Sequence, residues 1–153
     1  MQILFGKHYG KSLELLLLKQ PDYVAWMLSQ RGAHGVMKRA QTEAKHLVAR
    51  FNAKSLLKKC FSKEGSEQAA TRCTVYGENA LVPYWWCSSC NPYQSGANAG
   101  KLQAVATYEE ALDHVLFWCG GRAADYKSLI KDLAQAKGLP DRVGEKQAAA
   151  FFA

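Results

Sequence analysis

Four of the five cysteines, Cys60, Cys73, Cys87 and Cys90, fall between positions 60 and 90, and no other feature restricts the fold as strongly. The segment between them is poor in large aliphatic side chains, so a small β-unit there has little core of its own. A shared metal ion would supply the missing cross-link. Cys87-Ser88-Ser89-Cys90 has the two-residue spacing of a zinc knuckle, in which both sulfurs point at one ion and backbone amides stabilise the thiolates. A tetrahedral site needs two further ligands, and Cys60 and Cys73 are the nearest. The expected centre is therefore a structural Zn2+ on Cys60, Cys73, Cys87 and Cys90. Twelve residues separate Cys60 from Cys73, and an ordinary ribbon would put a partner at Lys63, which cannot ligate. Either an enlarged loop unites the two, or the site borrows His46, His114 or Cys119. A redox dithiol at Cys87 and Cys90, or buried cysteines without metal, are the competing readings.

The odd cysteine count argues against a fully paired disulfide framework and suits a reducing compartment. No apolar run approaches the length of a membrane span, because Lys19 and Gln20 break the Leu15–Leu18 cluster. No secretory leader is recognisable, so the expectation is a cytoplasmic protein without membrane contact.

Charge is distributed unevenly. Residues 1–63 carry 12 Lys/Arg against 3 Asp/Glu, a net +9, whereas residues 64–153 carry 8 against 10, a net −2. A basic half joined to a near-neutral half points to a polyanion, most simply nucleic acid, although a solvated basic face that aids solubility has the same composition.

Patterning predicts a mainly α-helical α+β chain in three parts: a basic strand-turn-helix unit over 1–59, a zinc-bound β insert over 60–100 and a helical unit over 101–153 that packs on the rest. Ile3-Leu4-Phe5 reads as a strand and Gly6–Lys11 as a tight turn or small hairpin. Ser12 is placed to cap a helix through Lys19, and Pro21 opens a second through Ser29. Met37, Ala40, Ala44, Leu47, Val48 and Phe51 make the stripe of a third helix expected from Gly35 to Leu57. Residues 70–76 and 82–87 read as strands around a turn at Gly77-Glu78-Asn79, with Pro83 confined to an edge, and Asn91–Gly100 reads as a loop. Thr107-Tyr108-Glu109-Glu110 is a capping box for a helix to Cys119. Asp125 is expected to cap the next helix and Asp141 to start a last one, which folds Phe151-Phe152 back on the body.

Phe5-Gly6-Lys7, Tyr9-Gly10-Lys11-Ser12-Leu13, Pro21-Asp22-Tyr23 and Trp26-Met27-Leu28 together resemble a small accessory module found C-terminal to the nuclease domain in exonuclease X-type proteins. The likeness spans roughly residues 3–31 and stops before the cysteines. It implies a strand-turn-helix unit and an accessory role near nucleic acid. The nuclease acids of that family belong to a different domain and have no counterpart here, so exonuclease activity is not implied.

Gly6-Lys7-His8-Tyr9-Gly10-Lys11 sets two glycines and two lysines, Lys7 and Lys11, ahead of a helix N-terminus, where they can meet a phosphate, though glycines in a turn need no such explanation. Lys38, Lys45, Arg50, Lys54 and Lys58 lie mainly off the apolar stripe of the third helix and could track a phosphate backbone. Alternation along Tyr84-Trp85-Trp86 puts Trp85 on one face of a strand and its neighbours on the other, one face core and one a possible stacking platform. Trp85 and, on the adjacent strand, Arg72 complete the expected contact set. No histidine lies beside a nucleophile and an acid in sequence, so the expected function is non-catalytic: zinc-stabilised binding of nucleic acid, DNA foremost. The alternative is a protein-interaction adaptor with a structural zinc.

Overall fold

The computed structural model describes residues 1–76, 79–90 and 102–153. Among them it is a mainly helical α+β molecule. The helices are α1 (Leu13–Lys19), α2 (Pro21–Ser29), α3 (Gly35–Ala53), α4 (Tyr108–Trp118), α5 (Ala123–Ala136) and α6 (Glu145–Phe152). The strands are β1 (Arg72–Tyr76), β2 (Asn79–Trp86) and β3 (Leu102–Val105), antiparallel in the order β2-β1-β3.

The N-terminal unit follows its local signals except at Ile3–Phe5, where no strand forms and the pairing is reduced to an isolated Gln2–Ser12 bridge. The Ile3 N–H donates to the Lys11 carbonyl at 2.9 Å and the Gly10 N–H to the Ile3 carbonyl at 2.7 Å, closing a small hairpin around a 3-10 turn at Gly6–His8. Gly6 has φ +63°, a conformation glycine adopts at little cost. Ser12 Oγ accepts from the Leu15 N–H at 3.1 Å and caps α1, and Pro21 occupies the first turn of α2.

Three boundaries differ from expectation. The third helix stops at Ala53 instead of Leu57, because Leu56 turns into a second small cluster with Ala70 and Ala136, and the Leu57 N–H bonds the Ala136 carbonyl at 2.7 Å. Asp125 lies inside the first turn of α5 and not at its cap, paired with Arg122 Nε at 2.7 Å. Asp141 accepts from Gln135 instead of starting a helix, and α6 begins after Gly144, whose N–H is taken by Gln147 Oε1 at 3.0 Å. The short strand β3 carries no strong pattern and is an addition to the expected elements. The expected loop 91–100 lies outside the described residues, as do Gly77 and Glu78 of the turn.

One apolar core unites the two ends of the chain. Ile3, Leu13, Leu16, Leu17, Met27, Leu47 and Phe51 share it with Tyr108, Leu129, Ile130, Leu133 and Phe152, all nearly inaccessible to solvent. Cys73, Val75 and Val105 plug the inner face of the sheet into the same core. The Tyr108 hydroxyl donates to the Leu17 carbonyl at 2.9 Å and so satisfies its one polar atom. Burial holds that phenol well above its ordinary pKa. Edge strand β2 accommodates Pro83, as its missing N–H requires, near a register shift between Thr74 and Tyr76.

Candidate metal centre

The chain reaches the cysteine cluster through a narrow ribbon. After α3 the backbone pairs Lys59 with Ala69: the Cys60 N–H donates to the Gln68 carbonyl at 2.9 Å and the Ala70 N–H to the Lys58 carbonyl at 2.9 Å. Two further bonds fasten that ribbon to the end of β2, from Phe61 N–H to the Trp85 carbonyl at 2.7 Å and from Thr71 N–H to the Trp86 carbonyl at 2.9 Å. Cys60 is thereby carried to the knuckle that follows β2. The sulfurs of Cys60, Cys87 and Cys90 all lie within 4.8 Å of one another, and three such thiols could hold a metal ion.

The electrostatics of the knuckle suit a thiolate. Burial pushes the Cys87 thiol up, but hydrogen bonds from the Cys90 thiol, from the backbone N–H groups of Cys90 and Ser89, and from the Cys60 thiol outweigh it, so its pKa falls below the ordinary value. Cys90 is raised, first by its hydrogen bond to Cys87, with the Ser62 hydroxyl pulling the other way. Thiol protons held between neighbouring sulfurs are what a soft cation displaces on binding.

Cys73 is a correction to the four-cysteine set. It sits on β1 opposite Trp85 and Val105, fully buried in the main core, and does not belong to the three-sulfur group. Burial first, with the charges of Asp132 and Glu110 adding, pushes its thiol up to about 12. Strand alternation is the cause: Cys73 and Val75 face the main core, while Arg72 and Thr74 lie on the other face of the sheet, where Thr74 is buried and accepts from Trp86. The other borrowed ligands are elsewhere as well. His114 Nε2 lies 3.7 Å from Cys119 Sγ, and His46 is exposed on α3 with its Nδ1 3.8 Å from Glu43.

Gly65 is the residue sequence reasoning passed over. An added Cβ there would lie 2.8 Å from Cys90 Sγ, 3.1 Å from Cys60 Sγ and 3.2 Å from Cys87 Sγ. The backbone at 65 thus closes over the sulfur triangle, and only the absence of a side chain allows the approach. The Gly65 N–H donates to the Ser62 carbonyl at 3.2 Å, and its carbonyl accepts from the Gln68 N–H at 2.8 Å, which fixes the turn above the thiols. A glycine between Cys60 and the strands was the available signal.

The expected contact residues divide. Trp85 is a second correction: it faces inward and packs against both apolar clusters, so it supports the sheet. The outward residues are Tyr84 and Trp86, joined by Phe61 from the ribbon at ring-centroid distances of 5.1 and 5.7 Å from Phe61. Phe61 is 64% and Tyr84 44% exposed. Trp86 Nε1 donates to Thr74 Oγ1 at 2.9 Å, which fixes the indole on the sheet. Arg72 is directly opposite Trp86 in register. Lys7, Lys11, Lys38, Lys45 and Lys58 are exposed. Arg50 and Lys54 are partly committed to α6: Arg50 Nη1 donates to the Phe152 carbonyl at 3.1 Å, and Lys54 Nζ sits 4.8 Å from the centre of the Phe151 ring.

Compared with protein-family models, curated proteins and solved structures, the chain matches none. The fold and the centre therefore define it only as an α+β protein with a three-cysteine cluster that could hold a metal. Among the described residues no helix is long and apolar enough to cross a membrane.

Proposed function

We propose that this chain is a non-catalytic accessory protein that binds nucleic acid, DNA foremost, and whose β-unit is stapled by a structural Zn2+ on Cys60, Cys87 and Cys90. The observation that carries this reading is the aromatic cluster of exposed Phe61 and Tyr84 with half-buried Trp86, set beside the thiols on a ribbon that also carries exposed lysines. Phe61 and Trp86 immediately follow and precede two of the cysteines, so a metal that fixes Cys60 against Cys87 also fixes the aromatic surface. Exposed aromatic rings next to cations suit unstacked bases with their phosphates, a combination that binds single strands with little base preference. Lys58, Lys59 and Lys63 are exposed along the ribbon that carries Phe61. Three soft thiolates fit zinc, and a structural centre would be closed by a fourth ligand in addition to the three cysteines.

Fluorescence anisotropy with a labelled single-stranded DNA tests the reading. Affinity should fall steeply between about 50 and 200 mM salt. Phe61→Ala and Tyr84→Ala should each weaken binding about tenfold while leaving the melting temperature nearly unchanged. Affinity indifferent to salt and to both substitutions would remove it.

A protein-interaction adaptor is the second reading, favoured by a separate observation. Leu116, Phe117 and Trp118 are 53%, 72% and 39% exposed at the end of α4, an apolar run of the kind that partners cover.

A further inference from the structure

A second site lies in the N-terminal unit, away from any cysteine. Gly6, Lys7, Asp22, Tyr23 and Trp26 line an open cavity of about 410 Å³, within the size range of small-ligand sites. Beneath it several buried polar atoms lack a hydrogen-bond partner: the Tyr23 hydroxyl, Asp22 Oδ1 and both ring nitrogens of His8. Tyr23 and His8 are each only 7% exposed. An unpaired buried polar group costs on the order of 1–3 kcal/mol, so three such side chains in one place call for a function. Gly6 adds a second observation. A Cβ there would stand 3.1 Å from the Tyr23 hydroxyl and narrow the way to it.

The lining defines the ligand. Trp26 is 48% exposed, and its ring centre is 5.3 Å from that of Tyr23, so it offers an open aromatic wall. Lys7 Nζ lies 5.8 Å from the centre of the Tyr23 ring and brings a positive charge to the rim. Asp22 supplies an acceptor. An aromatic cage with one acid would by itself suit a cationic ligand, but Lys7 opposes one. A planar ring with an amino donor and an attached anion suits Trp26, Asp22 and Lys7 together, while His8, which does not line the cavity, is not met by it.

We propose that this cavity binds one nucleotide unit, its base stacked on Trp26, its amino group donated to Asp22 and its phosphate paired with Lys7. The Tyr23 hydroxyl meets the polar edge of the base once the ligand displaces the Lys7 side chain from over the ring. The ligand class rests on the nucleic-acid reading above, while the site itself does not involve the cysteine centre.

Titration of the full-length protein with AMP, GMP, CMP and UMP, followed by the indole N–H resonances in NMR spectra, tests this. The Trp26 signal should shift with the three amino-bearing nucleotides and at least fivefold less readily with UMP. Tyr23→Phe should weaken nucleotide binding severalfold without lowering the melting temperature, because it deletes a hydroxyl that has no partner in the fold. Asp22→Asn should abolish the discrimination against UMP. Binding unchanged in Tyr23→Phe and in Trp26→Ala would overturn the site. If those variants also still bind single-stranded DNA, the function proposed above survives that result. Nucleotide binding without any binding of DNA strands would uphold the pocket and reject the nucleic-acid role.

Discussion

Gly65 and Cys73 carry the sharpest tests at the level of single residues. Gly65 is not strained, so its identity is a matter of space: a methyl group would push on three sulfurs at once. Gly65→Ala should cost about 1–3 kcal/mol through overpacking and weaken metal retention against a chelator, whereas Gly144→Ala, which meets only Gln147 Oε1 at 3.4 Å, should not affect the metal. The cysteines separate by the same measurement. Protein with Cys60→Ala or Cys87→Ala should fail to retain the proposed Zn2+, and protein with Cys73→Ala should retain it, as read by metal content after dialysis. His8 gives a pH test. Burial first, then the charges of Lys11 and Lys7, with a smaller push from Lys127 and only Asp22 opposing, hold its pKa below 6.5 in the fold. The unfolded chain therefore takes up the proton more readily. Stability should fall as pH drops from 6.5 toward the folded pKa and flatten below it. His8→Gln should remove that part of the slope in melting curves between about pH 7 and 5.

Secondary-structure elements show where sequence and structure agree and where they part. The caps at Ser12 and Thr107, Pro21 at the start of α2 and the stripe on α3 depend on neighbours within a few residues, so they are legible in one dimension. The end of α3, the membership of Cys73 and the role of Trp85 depend on what crosses from elsewhere. Strand alternation correctly separated Trp85 from Tyr84 and Trp86, but which face is buried was decided by Ala136 at the end of α5 and by Leu56 after α3. The same alternation, applied to Cys73 in register with Trp85, would have removed that cysteine from the metal set, yet register between strands is not written in either strand alone. Trp85→Ala should accordingly act as a folding lesion. Loss of an inward aromatic costs about 3 kcal/mol and should lower the melting temperature on the order of 10 °C, with DNA affinity of the folded fraction retained. A drop in affinity at unchanged melting would return Trp85 to the contact surface.

At the scale of the whole molecule, the metal is expected to hold one small region and not the fold. The main core joins α1–α3 to α4–α6 and includes Val75 and Val105, so its apolar burial is independent of Cys60, Cys87 and Cys90. Among the described residues, the ribbon around Cys60 has beneath it the small cluster of Leu56, Ala70 and Ala136, tied to the main core through Trp85, too little to stay ordered without a cross-link. Chelation should therefore split the protein into a loosened part and a persistent part. In hydrogen exchange, the amides of Cys60, Phe61, Ala70 and Thr71, which bond across the ribbon and to β2, should lose protection when zinc is removed. Those pairing β1 with β3, where Cys73 faces Val105, should retain it, and the helical circular dichroism should hardly change. Because Phe61, the most exposed ring of the aromatic cluster, sits on the loosened part, DNA affinity should fall together with that protection and return when zinc is restored. Nucleotide binding at Trp26, seated on α2 within the persistent part, should survive chelation. Global unfolding on metal loss would mean that the thiol centre supports the helical core as well, and that the two ends of the chain depend on the ribbon to find each other.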